Sequence, residues 1–323
     1  MARKIDWDVQ IGRRLKMRDL HVFLTVAQCG SMAKAAVQLG VSQPAVSEVI
    51  ADLEHALGVR LLDRSRQGIQ PTMYGRAMIE RSRAAFDELK QGIATLEFLA
   101  DPTVGTVRIG CAESLFSPIL APAIEQFVLQ YPRVRLQVQD LMTATLDLPE
   151  LRERTLDVVL ARLAKPHAHD EDMNVEVLFD DEMVVAAGAQ SPWTRRAKID
   201  LAELVNEPWI LTRTGSWNYM IVAEAFRLRG LEMPPICLTT FSVELRNNLL
   251  GSGRFITAFP RSVLRVNAER FSLKQLPIEL PARPWPVQII TLKNRTLGPV
   301  AQRFIDHVRA FTRTLATNGK AED

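Results

Sequence analysis

The residues whose types and spacing suit chemistry lie early in the chain, between positions 31 and 66. Ser42, Gln43, Pro44, Ser47 and Glu48 open a helical stretch whose apolar positions Val46, Ile50, Leu53 and Leu57 share one face. Gln43, Ser47 and Glu48 must then project away from the core. Short polar groups at the start of a helix suit the reading of a DNA groove. Glutamine can pair with adenine, serine with several donors or acceptors, and glutamate can accept from cytosine. Arg60, Arg64 and Arg66 follow within residues 59–72, a strand, turn and strand pattern. A basic wing beside the helix offers partners to phosphates.

These residues need elements that hold them. Ser31 is placed to cap a helix that Gly40 ends. Ser42 is placed to cap the next, with Pro44 tolerated in its first turn and Gly58 at its end. The product is helix, tight turn, helix. That pattern also describes an ordinary helical hairpin, and the arginine-bearing wing is what favours DNA.

The segment GSMAKAAVQLGVSQPAVSEVIADLEHALGVRLLDRSRQGIQPTMYG resembles the winged helix-turn-helix of LysR-type transcriptional regulators. The likeness rests on the Ala35-Ala36 pair, the run from Ser42 to Ser47, Leu53-Glu54, Gly58, Arg64 and the exit from Pro71-Thr72 to Gly75. It departs at Glu48, where the family commonly has a basic or amide residue. The family pattern then continues to about residue 315. The resemblance implies sequence-specific DNA binding, with Ser31, Ser42, Gln43, Pro44, Ser47, Glu48, Arg64 and Arg66 as the contacting residues. Residues 1–16 form an N-terminal extension, which makes Met17 a second candidate initiator. The DNA-binding domain is expected over 17–72.

From Gly75, the positions Ile79, Ser82, Phe86, Leu89, Ile93, Leu96 and Ala100 step by alternating four and three residues. That is heptad spacing. About 27 residues at roughly 1.5 Å each would span on the order of 40 Å, further than a small winged-helix core can cover. Self-association through Phe86, Leu89, Ile93 and Leu96 is the expectation for a linker helix over 73–100. In the family, the corresponding helix pairs two subunits, and dimers commonly join into a homotetramer.

The turn residues of 101–106 predict a hinge, after which strand-like runs alternate with helical stretches. The strand candidates are residues 107–111, 134–138, 156–160, 183–187, 255–259 and 287–292. Such alternation predicts α/β layers around a largely parallel sheet. By resemblance, residues 107–315 form an effector-binding domain of two lobes like those of periplasmic solute-binding proteins. Lobe I takes 107–178 and 296–315, lobe II takes 179–295, and 316–323 are a tail. Ligands in such folds bind at the carboxyl ends of strands, beside helix amino ends. Glu113, Ser114, Thr143, Arg162, Thr214 and Ser242 fall at such places and are the expected effector contacts. Each serine or threonine is equally a plain helix cap.

Composition narrows the alternatives. With 323 residues, 47% of them apolar, the chain is long enough for more than one core. No apolar run reaches membrane-spanning length, and the first residues lack a secretory apolar block, so a cytoplasmic protein without membrane association is expected. The net charge of +3 is compatible with DNA and decides nothing alone. Cys29, Cys111 and Cys237 have no metal-ligand spacing and are expected to be small buried apolar residues. The run from His167 to Asp172 is expected to be a solvated loop, with no metal and no cofactor beyond a small-molecule effector. No nucleophile or phosphate-binding motif is present, so no enzymatic activity is expected. The expected partners are a double-stranded DNA operator, a small-molecule inducer, RNA polymerase and further copies of the chain. The rival reading is a cytoplasmic solute-binding module without DNA function.

Overall fold

A computed structural model describes residues 11, 13–65, 68–141, 148–162, 172–281 and 285–319. The chain divides into two compact units, Met1–Gly92 and Ile93–Asp323.

In the first unit, α1 (Met17–Cys29), α2 (Met32–Leu39) and α3 (Gln43–Leu57) precede a hairpin of β1 (Leu62–Ser65) and β2 (Gly68–Pro71). The long helix α4 (Met73–Ala100) follows. Phe23, Val26, Ala35, Val46, Ile50, Leu53 and Leu61 form one core beneath the three short helices. Gly40 and Gly58 close α2 and α3 at φ of 66° and 70°, the left-handed region that a side chain disfavours. Two contacts fix the hairpin. Glu54 of α3 accepts from the Leu61 and Leu62 amides at 2.7 and 3.0 Å, and the Ile69 amide donates to Gly30 O at 2.9 Å. Thr72 then caps α4 through the Gly75 amide while donating to Arg60 O. Gly75 has no room for a side chain, because a Cβ there would lie 2.0 Å from Leu61 O.

The second unit holds two five-stranded sheets. The first is ordered β4 (Val134–Asp140), β3 (Gly105–Cys111), β5 (Val158–Arg162), β12 (Trp285–Leu292), β6 (Met173–Asp181). Helices α5 (Ala121–Gln130), α6 (Pro149–Arg152) and α10 (Pro299–Gly319) accompany it. The second sheet is ordered β11 (Leu273–Gln275), β7 (Met183–Gly188), β10 (Ile256–Pro260), β8 (Trp209–Leu211), β9 (Ile236–Thr239). Its helices are α7 (Trp217–Leu228), α8 (Val243–Leu250) and α9 (Arg261–Asn267). In each sheet one strand opposes its neighbours: β12 runs antiparallel to β5 and β6, and β7 to β10 and β11. Those two strands are the first the chain forms on crossing into each lobe. Every residue of β5, β7 and β10 is buried, which explains the apolar runs at 158–161 and 183–187.

The structure moves several expected boundaries. The strand at 285–292 belongs to the first sheet, so the span 179–295 assigned to lobe II is too long. Strand β6, absent from the candidates, also completes the first sheet and runs to Asp181. The strand expected at 156–160 begins at Val158, because the Leu156 amide is held in a turn by Glu150 O. The hinge expected over 101–106 is shortened by β3, which starts at Gly105. The tail expected from 316 instead continues α10 to Gly319. Of the cysteines expected to be buried, Cys111 is, Cys29 is intermediate and Cys237 is exposed.

Candidate DNA interface and effector cleft

On the first unit, Ser31 and Ser42 accept from the Lys34 and Ala45 amides at 3.4 and 3.3 Å, so both act as helix caps. Gln43, Pro44 and Glu48 are exposed along the start of α3. Ser47 differs from expectation: it is half-buried and its hydroxyl donates to Met32 Sδ at 3.0 Å, toward α2. The helical period places position 47 at the margin of the core face, next to Val46 and Ile50. Arg64 stands on β1 opposite Ile69, and Arg66 lies outside the described residues.

On α4 the heptad stripe divides. Ile79 and Phe86 pack against the first unit's core, and Phe86 lies edge-on to His21 with ring centres 6.0 Å apart. Leu89, Ile93, Leu96 and Leu99 are 55 to 72% exposed, a continuing apolar row that the described residues of this chain leave uncovered.

In the second unit, polar groups from both lobes meet. Arg162, at the end of β5, is buried and donates to Ser114 Oγ at 2.7 Å, Asp181 Oδ2 at 2.6 Å and Ser262 Oγ at 3.0 Å. Asp181 also accepts from the Ser262 amide and hydroxyl at the start of α9. Burial draws the Arg162 guanidinium below its ordinary pKa, and the Asp181 carboxylate opposes that fall. The guanidinium sits 5.5 Å from the ring centre of Trp285, which in turn neighbours Trp217 of α7 at 6.2 Å.

Glu113, in the turn after β3, reaches the other lobe. Its Oε1 accepts from the Val243 amide at 2.9 Å and from Ser242 Oγ at 3.4 Å. Ser242 caps α8 as well, through the Leu245 amide. Thr214 is exposed in the turn before α7, whose cap is Ser216. Thr143 lies outside the described residues, as do His167 and His169.

Glu113, Ser114, Arg162 and Ser242 are therefore brought to one interlobe region, engaged by hydrogen bonds that cross it. Among the described residues no hydrogen bond ties Thr214 to this group. Asp181, Ser262 and Arg246 escaped the sequence reading. An acidic run at a strand end resembles a solvated turn, and only the fold shows that Asp181 meets Arg162.

The pattern described as "LysR substrate binding domain" matches residues 100–313, and "Bacterial regulatory helix-turn-helix protein, lysR family" matches residues 17–76. The chain belongs to the LysR family. It is accordingly a DNA-binding transcription regulator with an effector domain, and not an enzyme; the rival reading as a solute-binding module without DNA function is not favoured. The regulator GbpR of Azospirillum brasilense is 26% identical over 302 residues, covering 93% of this chain and 88% of its own. GltC of Bacillus subtilis, a transcriptional dual regulator, is 28% identical over 92% of this chain and 97% of its own. Among solved structures, a full-length OxyR variant from Pseudomonas aeruginosa shares the fold with a TM-score of 0.64 at 21% identity, covering 93% of this chain and 95% of its own. Full-length CbnR in complex with target DNA has a TM-score of 0.52 at 24% identity, covering 92% of this chain and all of that one.

If the exposed Gln43 and Glu48 read bases, Gln43→Ala or Glu48→Ala should change which bases are preferred, at about 1–3 kcal/mol per lost base contact. Ser47→Ala shifts the melting temperature and leaves the ranking of operator variants intact. Binding measured across a set of single-base operator variants decides it: equal losses across the set for Gln43→Ala and Glu48→Ala would remove them from base reading.

Proposed function

We propose that this regulator works in the cytoplasm as a homotetramer of paired dimers. It grips a double-stranded operator through two or more α3 helices and alters transcription by RNA polymerase when a small-molecule inducer enters the interlobe cleft. Among the described residues no helix is long and apolar enough to cross a membrane, in keeping with a cytoplasmic site of action. The exposed row from Leu89 to Leu99 supports pairing through α4, since apolar seams of this spacing are ordinarily covered by a second helix.

The observation that carries the effector reading is the meeting of charged and hydroxyl groups from both lobes: Glu113, Ser114 and Arg162 on one side, Ser242 and Ser262 on the other. A ligand touching both sides favours one lobe angle over another, and only such a difference in affinity transmits a signal. Thr214 borders the same lobe and is open to contact from solvent. The wing arginines Arg64 and Arg66 supply phosphate partners in this reading.

Two experiments test it. Leu89→Asp with Ile93→Asp puts charges into the seam, where burial without partners is costly. Sedimentation should show dissociation and gel shift should show weaker operator binding; a variant still assembled like the parent places the interface elsewhere. Separately, Ser242→Leu or Thr214→Leu abolishes the inducer response in a reporter while operator binding without inducer persists. Parent-like induction by both variants would count against the cleft.

A further inference from the structure

Helix α8 carries buried side-chain polar atoms, on Arg246 and Asn247, that hydrogen bonds among the described residues leave unused. The first-turn amides of a helix have no partner within it and favour anions. Here the Val243 amide and Ser242 hydroxyl both point to Glu113, a carboxylate delivered by the opposite lobe. One turn further lies Arg246, only 2% exposed. Its guanidinium stacks 4.6 Å from the Phe259 ring centre and donates to Ala258 O at 3.3 Å, while its Nε has no hydrogen-bond partner among the described residues. The neighbouring Asn247 is 1% exposed, and neither polar atom of its side-chain amide is partnered among the described residues.

Arg246 contrasts with Arg162. Arg162 holds Asp181 at 2.6 Å, whereas Arg246 makes no ion pair among the described residues. Burial pulls its pKa down to about 10, and Glu113 is the carboxylate whose charge opposes the fall. A buried cation without a counter-ion in contact is costly to the fold. Glu113 thus satisfies the helix end and only partly compensates the arginine.

We infer that the amino end of α8 and Arg246 form a carboxylate subsite of the cleft, which the Glu113 side chain fills in this structure and which a carboxylate of an anionic effector takes over. The inference rests on the cleft being the effector site. Displacing Glu113 removes its two contacts between the lobes, which ties occupancy of the subsite to lobe angle. The chemistry selects an effector with at least one carboxylate, since that group reproduces what Glu113 already does there.

The subsite is testable with acetate as the probe. Glu113→Ala empties it, and Glu113→Gln fills the space without charge. Melting of the full chain is followed in rising sodium acetate against sodium chloride of equal ionic strength. Glu113→Ala should melt below the parent and regain roughly 2–4 °C in acetate, saturably, as a ligand of the folded state does. The parent and Glu113→Gln should show no acetate-specific gain. Absence of rescue in Glu113→Ala, or an equal gain in the parent, overturns the subsite. This measurement uses neither inducer nor DNA, so its failure leaves the cleft reading standing. If Ser242→Leu and Thr214→Leu still respond to inducer like the parent, the cleft reading falls instead, and with it the effector's part in this inference.

Discussion

A guanidinium buried between two lobes needs a counter-charge, and the second unit is arranged around meeting that need. Arg162 ends β5 in one sheet, Asp181 ends β6 just before the chain crosses, and Ser262 begins α9 in the other lobe. With side chains 1 and 3% exposed, the pair lies where an isolated ion would cost several kcal/mol. The Ser262 amide and hydroxyl, together with Ser114, take up hydrogen-bonding capacity that the ion pair alone leaves free. The crossover strands β7 and β12 start beside this network. Polar groups of the cleft are therefore held by partners from both lobes.

Much of the first unit was legible because its signals are local. Ser31, Ser42, Gly40 and Gly58 mark helix ends by side-chain chemistry and backbone freedom that act within four residues, and α2 and α3 lie between them. Ser47 shows the limit of such reasoning: helical periodicity located its face only to within a neighbour, and Met32 on another helix decided its direction. Glu54 was recognisable only as part of a family pattern. Its physical work, tying two wing amides to α3, depends on a hairpin seven and eight residues away.

The second unit was legible in class and less so in membership. Apolar runs reveal strands, yet nothing in residues 285–292 states which sheet they join, because that depends on pairing with β5 and β6 more than a hundred residues earlier. Shorter separations were enough to hide Asp181, which meets Arg162 19 residues away, and Arg246, which meets Ala258 12 residues away. A buried arginine on a short helix has the local appearance of a solvated one, and its burial follows from α8 packing on β10 and Phe259. On α4 the heptad period located the apolar stripe, but the core of the first unit claimed Ile79 and Phe86, and Leu89, Ile93, Leu96 and Leu99 stay exposed.

The claim on which this picture of the cleft depends is that Arg162 and Asp181 act as one buried unit. A double-mutant cycle with Arg162→Met, Asp181→Leu and both together tests it most directly, read by urea unfolding through tryptophan fluorescence. Trp193, Trp209, Trp217 and Trp285 all lie in the second unit. Asp181→Leu alone should cost about 3–5 kcal/mol, and adding Arg162→Met should restore much of that loss, because an apolar pair leaves no uncompensated charge. Additive losses, each under about 1 kcal/mol as exposed ion pairs give, would contradict it.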